Sequence, residues 1–179
     1  KGNHADLTPE YAAIPAEMKS VAAFFGKKVL REITKEQLLE NICAVREKCS
    51  DRAVLRALHF FDDNERVGKE ASALSEGDFD AFLNLINESG DSSFKYLQNI
   101  YASSAPNEQG LSLALYLAKQ ALGGEGACRV HGGGFAGTIQ AFVPEKKLEA
   151  FKAEMERVFG KGSCYVLSIR PVGGVQIDL

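Results

Sequence analysis

Along the first two-thirds of this chain the hydrophobic positions recur every three or four residues, and beyond residue 126 they begin to alternate. The first rhythm lines one face of a helix, the second one face of a strand. Thr8-Pro9 reads as an N-cap followed by proline at the first helical position, and Pro15 interrupts or restarts that helix. Met18, Val21, Ala22 and Phe25 share a face before Gly26 closes it. Lys27 to Ile33 is ambiguous and admits a strand. Thr34-x-x-Gln37 has the form of a capping box, opening a helix with Leu38, Leu39, Ile42 and Val45 inward. The longest helix starts at Asp51 and stops at Gly77, with Leu55, Leu58, Phe61, Val67 and Leu74 as its expected buried stripe. Asp78 caps the next, where Phe79, Phe82, Leu83 and Ile86 keep helical spacing, and Glu88 to Ser93 reads as a polar break. A shorter segment to Tyr101 and a turn over Ser103 to Asn107 follow; Leu111, Ala114, Leu115, Ala118 and Leu122 then mark a helix ending at Gly123-Gly124.

The alternating half reads as strands over Ala127 to His131 and Thr138 to Val143, either side of a glycine cluster. Pro144 opens a helix with Leu148, Phe151, Met155 and Val158 inward. Cys164 to Ile169 and Val175 to Asp178 read as two further strands, joined by a turn at Val172-Gly173-Gly174. Helices followed by β-β-α-β-β predict an α+β domain over residues 1–179, an antiparallel sheet covered by helices. No repeat or low-complexity linker divides it.

Composition narrows the function. The 179 residues carry 24 acidic and 21 basic side chains, a net charge of −3. That leaves no basic stripe to neutralise phosphates, which argues against a nucleic-acid partner. No apolar run approaches the roughly 20 residues that span a bilayer, and no signal-type apolar segment follows the start. A cytoplasmic protein without a membrane partner is expected. Cys43, Cys49, Cys128 and Cys164 form no Cys-x-x-Cys pair, so free thiols are expected rather than disulfides or a zinc site. Lys1 in place of Met reads as a chain processed, tagged or cut from a longer one.

Candidate chemistry concentrates in His131-Gly132-Gly133-Gly134-Phe135-Ala136-Gly137, where four of the last six residues are glycine. Such a run lets backbone amides approach an anion with no Cβ between them. Gly132-x-Gly134-x-x-Gly137 matches the dinucleotide fingerprint by spacing, but a strand follows it where that motif requires a helix. No Gly-Lys-Ser/Thr ends it, so it is not a Walker loop either. The alternative is a glycine-rich hairpin that serves packing alone.

Ala127-Cys128-Arg129-Val130-His131 with this glycine run resembles the third motif of the galactokinases, Ala-Arg-x-Thr-Gly-Gly-Gly-Phe-Gly-Gly. These are kinases of the galactokinase, homoserine kinase, mevalonate kinase and phosphomevalonate kinase (GHMP) superfamily. Arg56-Ala57-Leu58-His59 with Asn64-Glu65-Arg66-Val67 resembles a further galactokinase stretch. Glu76-Gly77-Asp78-Phe79, Glu88-Ser89, Tyr101 and Ser104-Ala105-Pro106 keep the order of the family's later landmarks, and His4 and Tyr11 the spacing of an early one. Ala136 stands where the family has glycine, His131 where it has threonine, Gly90 where it has histidine, and Asn107-Glu108-Gln109 where it has Glu-Leu-Asp. These departures suggest a divergent bacterial branch.

The resemblance implies a ferredoxin-like GHMP kinase C-terminal domain. The family's sugar motif, phosphate loop and catalytic aspartate belong to an N-terminal half and do not occur here, so no catalytic residue is expected in this chain. It further implies a parent galactokinase that takes ATP and Mg, both bound mainly by the N-terminal half, and phosphorylates the anomeric hydroxyl of galactose. The partners would be galactose, ATP and that half. Tyr11 is then the expected sugar contact, a phenol able to bond a hydroxyl while packing on the ring. Gly132, Gly133, Gly134, Phe135, Ala136 and Gly137 form the expected phosphate-proximal loop. A non-catalytic galactose-binding or sensor module, or a kinase for another sugar such as N-acetylgalactosamine, are the alternatives. Of the other polar residues, His59 reads as a packing residue and His131 as non-essential. Arg129 reads as an anion contact or an inter-strand salt bridge, and Asp62, Asp63 and Glu65 as solvated. His4-x-Asp6 is one ligand short of a metal site, and none is expected.

Overall fold

The computed structural model describes residues 7–174 and 176. A proline in the first turn costs no hydrogen bond, because those amides lack a helical partner. Pro9 sits there in α1 (Thr8–Phe24), although the cap residue is Leu7 and Pro15 lies within the helix without ending it. Lys27–Ile33 is not a strand. The Lys28 and Val29 amides donate to the Glu32 carboxylate at 2.8 and 3.2 Å, folding the segment into a 3-10 turn over Leu30–Glu32. Both bonds of the Thr34–Gln37 capping box form, at 3.2 and 2.9 Å. The helix they open, α2 (Lys35–Glu40), breaks at Asn41 and resumes as α3 (Ile42–Cys49). The Asn41 side chain donates to the Gln37 carbonyl at 2.9 Å, the local bonding by which asparagine competes with a helix.

The 26-residue α4 (Asp51–Glu76) is capped by Ser50, whose hydroxyl accepts from the Ala53 amide. Its inward face differs from the expected stripe. Val67 and Leu74 are 61% and 52% exposed, Leu55, Leu58 and Phe61 are half-buried, and the buried positions are Ala53, Val54, Arg56, Ala57, His59 and Ala73. Alanine carries little hydrophobic signal but permits close approach: Ala53 and Ala57 pack with Val21, Ala22, Leu38 and Val45 in a core beneath α1.

Asp78 caps α5 (Phe79–Ser92) through a 2.9 Å bond from the Ala81 amide. The expected polar break is the buried end of this helix. Ser89, Gly90 and Ser92 are buried, and a π-helical turn over Ser93–Leu97 continues it. Space explains Gly90, where a Cβ would lie 2.9 Å from that of Arg129.

Next come α6 (Gly110–Leu122), β1 (Ala127–His131), β2 (Thr138–Phe142), a 3-10 turn at Glu145–Lys147 and α7 (Leu148–Phe159). The strands are antiparallel, with Ala127 opposite Phe142 and His131 opposite Thr138. Leu111, Leu115, Ala118, Cys128, Val130, Phe151 and Met155 make the core between this hairpin and α6 and α7. The Cys128 amide turns away from β2 to the Asn87 side chain at 3.1 Å, so α5 covers the outer edge of β1. Ala141, opposite Cys128, turns its backbone outward, and no described strand pairs with that edge of β2. Four strands were expected; the described residues contain two. Cys164–Ile169 takes no regular structure, leaving Tyr165, Leu167 and Ile169 73%, 87% and 86% exposed. The expected strand from Val175 to Asp178 lies, apart from Gln176, outside the described residues. No helix among the described residues is long and apolar enough to cross a membrane.

Candidate glycine-loop site

Six residues connect β1 to β2, and their burial divides them. Gly132 and Gly133 are exposed at the tip, whereas Gly134 and Phe135 are buried beneath it. The Ala136 and Gly137 amides both donate to the Gly134 carbonyl, at 2.7 and 3.1 Å, curling the return limb. No hydrogen bond within the described residues uses the Gly132 or Gly133 amide. Chemically, the tip offers two backbone amides on exposed glycines, a donor type suited to an oxyanion.

Tyr11 meets this loop. Its hydroxyl donates to the Gly134 carbonyl at 2.9 Å, and its ring packs edge-on against Phe135 with centroids 5.1 Å apart. The ring also lies where a Gly133 Cβ would be, 2.6 Å from Tyr Cε1. Asn99 holds the loop from beneath. Its carbonyl accepts the Phe135 amide at 2.6 Å and its side-chain amide lies 3.4 Å from the Gly133 carbonyl. Phe135 and Gln98 are both left-handed, at φ 57°. For side chains larger than glycine such a backbone costs about 1–3 kcal/mol, and it persists only where surrounding contacts impose it. Ala136 is not left-handed, so its methyl is accommodated where the family has glycine.

Two polar systems brace these contacts. In the first, Glu17 receives Arg52 and Arg56, the latter at 2.9 Å, and Arg56 also donates to the Leu97 carbonyl at 3.0 Å. Arg56 is 1% exposed. Burial draws its pKa down while the Glu17 carboxylate opposes this. Nearby, Glu10 accepts from the Ser104 amide and hydroxyl at 3.2 and 3.0 Å and from Ser103 at 3.2 Å. Burial alone would raise Glu10; those bonds outweigh it and hold the carboxyl below its usual range.

In the second system His59 Nδ1 bonds the Ser92 hydroxyl at 2.9 Å, and Asp63 accepts from Ser89 and Arg66, both at 2.6 Å. Arg129 donates to the Ser89 hydroxyl and to the Val130 carbonyl, making no salt bridge to β2. Asp63 is thus bonded rather than solvated, and Asp62 pairs with Lys35. His59 is the packing residue expected. Burial holds its imidazole below 6.5, the Asp63 charge opposing. Protonation is then easier in the unfolded chain, so His59's share of stability is complete above pH 6.5 and is lost as pH falls below it. Glu70, raised above 4.5 by burial, acts in the opposite direction. Thermal melts should show the melting temperature falling below about pH 6.5, a limb that His59→Gln removes.

The structure therefore joins Tyr11 to the glycine loop, while His59 and Arg129 belong to a separate network; His4 and Asp6 lie outside the described residues. Asn99 and the bracing by Glu17 carried no sequence signal. Two concavities, of about 250 and 640 Å³, lie beside Arg31, Phe60 and Asn64 and between α4 and α5; neither includes the loop. Among the described residues no three His, Cys, Asp or Glu side chains converge on a metal position, and all four cysteines are free.

No protein-family model matches the chain. A galactokinase of Glaesserella parasuis serovar 5 (strain SH0165) is 33% identical over 149 residues, 83% of this chain and 37% of that protein. One of Actinobacillus pleuropneumoniae is 32% identical over 146 residues, 82% and 36% of the two chains. The crystal structure of Lactococcus lactis galactokinase complexed with galactose matches 85% of this chain and 38% of that one, with a TM-score of 0.61 and 23% identity. The α+β fold is therefore that of a galactokinase, and the chain spans little more than a third of the length of the curated relatives it matches.

Proposed function

We propose that this chain, related to the galactokinases over 83% of its length, is the C-terminal half of an enzyme that transfers the γ-phosphoryl group of ATP to the anomeric hydroxyl of galactose. The observation that supports this reading is the meeting of Tyr11 and the glycine loop, 123 residues apart in sequence and 2.9 Å apart in space. Phosphoryl transfer depends on holding donor and acceptor in line and on neutralising charge at the equatorial oxygens. In this reading the Gly132 and Gly133 amides face a phosphate oxygen, and Phe135 and Ala136 close that side of the cleft against water. Tyr11, which anchors the loop through Gly134, carries a phenol of the kind that hydrogen-bonds a sugar hydroxyl while its ring packs on the pyranose.

The residues present suit a phosphate better than a metal. Mg²⁺ takes oxygen ligands from carboxylates, phosphates and water, and no described cluster supplies such a set. In this reading the ion is held with the phosphates by the other half, and this chain's contribution is to bind and orient. ATP as donor places the reaction in the cytoplasm.

A coupled assay tests the reading. The chain alone should give no galactose 1-phosphate, and a polypeptide carrying the N-terminal half as well should give it from ATP and galactose. Turnover by the chain alone, or a complete polypeptide that phosphorylates N-acetylgalactosamine and not galactose, overturns the assignment.

A further inference from the structure

We infer that Asn99 is the positioning residue of the glycine loop, acting from beneath it on the two residues that carry its tip and root. The inference rests on the reading of that loop as one wall of a phosphoryl-transfer cleft, but its evidence is independent of that chemistry.

Asn99 is 3% exposed and touches the loop through three groups. Its carbonyl takes the Phe135 amide, its Nδ2 faces the Gly133 carbonyl, and its side chain lies within 2.8 Å of where a Gly134 Cβ would be. The loop therefore cannot settle further without moving Asn99. The third observation is a cost. Asn99 Oδ1 is buried with no hydrogen-bond partner. A buried acceptor left unpaired destabilises a fold, and an apolar residue of the same shape removes that penalty. Leucine has the branching and heavy-atom count of asparagine, in a larger side chain with no polar atom. The unpaired Oδ1 is a cost to stability, and what the asparagine supplies in return is its Nδ2 contact to the loop.

The delivery of Asn99 is also built. The π-helical turn Ser93–Leu97 ends with the Gln98 amide donating to Ser93 at 2.8 Å, and the left-handed Gln98 then turns the chain so that Asn99 faces the loop. Arg56 fixes the Leu97 carbonyl two residues earlier. Left-handed Gln98 and left-handed Phe135 thus lie on the two sides of one hydrogen bond, from Phe135 to Asn99.

Two variants and two readouts test this. In the 179-residue chain, amide hydrogen exchange at Phe135 and Ala136 is compared for the unsubstituted protein, Asn99→Leu and Asn99→Asp. We expect Asn99→Leu to keep or raise the melting temperature while exchange at Phe135 accelerates about tenfold or more, because the Gly133 side of the clamp is gone. Asn99→Asp, which sets a carboxylate against the Gly133 carbonyl, should loosen the loop further. In the complete kinase both should lower kcat by about tenfold or more with KM for either substrate little changed, since a shift of about 1 Å costs that much in positioned reactions. A fall in melting temperature with loop exchange unchanged marks Asn99 as an ordinary core residue and overturns the inference. So does unchanged exchange with unchanged kcat. The exchange arm needs no phosphoryl transfer, so an inactive complete protein counts against the proposed function and leaves the positioning of the loop to be decided by exchange.

Discussion

Gly134→Ala should dismantle the glycine loop. The residue has φ 84°, a backbone that L side chains rarely adopt, and an added Cβ would fall on the Asn99 carbonyl oxygen and within 2.9 Å of its side-chain carbon. Neither partner can yield: Asn99 is buried, and its carbonyl already holds Phe135. The left-handed conformation alone costs about 1–3 kcal/mol for a non-glycine residue. Adding the overlap, we expect a loss of at least about 2 kcal/mol, or about 4–8 °C in melting temperature at this chain length. In the complete enzyme turnover should fall about a hundredfold. Gly137→Ala is the matched control. There a Cβ meets only ordinary contacts at 3.5 Å and the backbone is not left-handed, so thermal melts should barely distinguish it from the parent. Equal effects of the two substitutions would refute a loop held by fit at Gly134.

Arg56→Met should be the most destabilising single change in the helical half. The guanidinium is buried, ion-paired with Glu17 and bonded to the Leu97 carbonyl. Removing the guanidinium leaves the Leu97 carbonyl without its side-chain donor and Glu17 with Arg52 as its remaining ion-pair partner, a loss of about 2–4 kcal/mol. For a chain of this size that corresponds to about 4–16 °C in melting temperature. Replacing the pair together, Glu17→Leu with Arg56→Met, should cost less than the sum of the two single changes, because Glu17→Leu alone leaves the buried Arg56 guanidinium without its carboxylate. Arg52, 41% exposed, is left free to hydrate when Glu17 goes. Urea unfolding of the two single variants and the double variant measures the coupling, and additive losses would exclude it.

What could be read in advance, and what could not, follows the reach of each interaction. The Thr34–Gln37 box and the Asp78 cap are decided within three residues, and both form. The strand boundaries flanking the glycines follow from a change of period, and Ala127–His131 is matched in full. The break at Asn41 depends on a single side chain choosing a backbone carbonyl over solvent. The inward face of α4 depends on which neighbours come close enough for alanine to matter, a tertiary fact that hydropathy does not encode. Glu88 to Ser93 looked like a loop because its polar atoms were counted without their partners, Asp63, Arg129 and His59. At the site, the glycine loop and Tyr11 were legible because composition and family resemblance single them out. Asn99 was not: an isolated asparagine says nothing until the chain brings it beneath a loop 34 residues further on.

The edge of β2 with which no described strand pairs has a consequence for how this polypeptide behaves at high concentration. Thr138-Ile139-Gln140-Ala141-Phe142-Val143 is six residues of strong β-propensity without a charge or a proline, and Tyr165-Val166-Leu167-Ser168-Ile169 is a second such run, largely exposed. Short uncharged segments of this kind are the seeds of cross-β stacking, and an unpaired edge is a template for them. Pro144 at the end of the first run and Lys161, Arg170 and Pro171 around the second stand in the positions of gatekeepers, which cannot extend a ladder or which repel a like neighbour. The charges weaken with salt and the prolines do not. Colloidal stability of the isolated polypeptide is therefore an ionic-strength problem: low salt preserves the dispersed state, and high salt leaves only the prolines to oppose fibrillar growth.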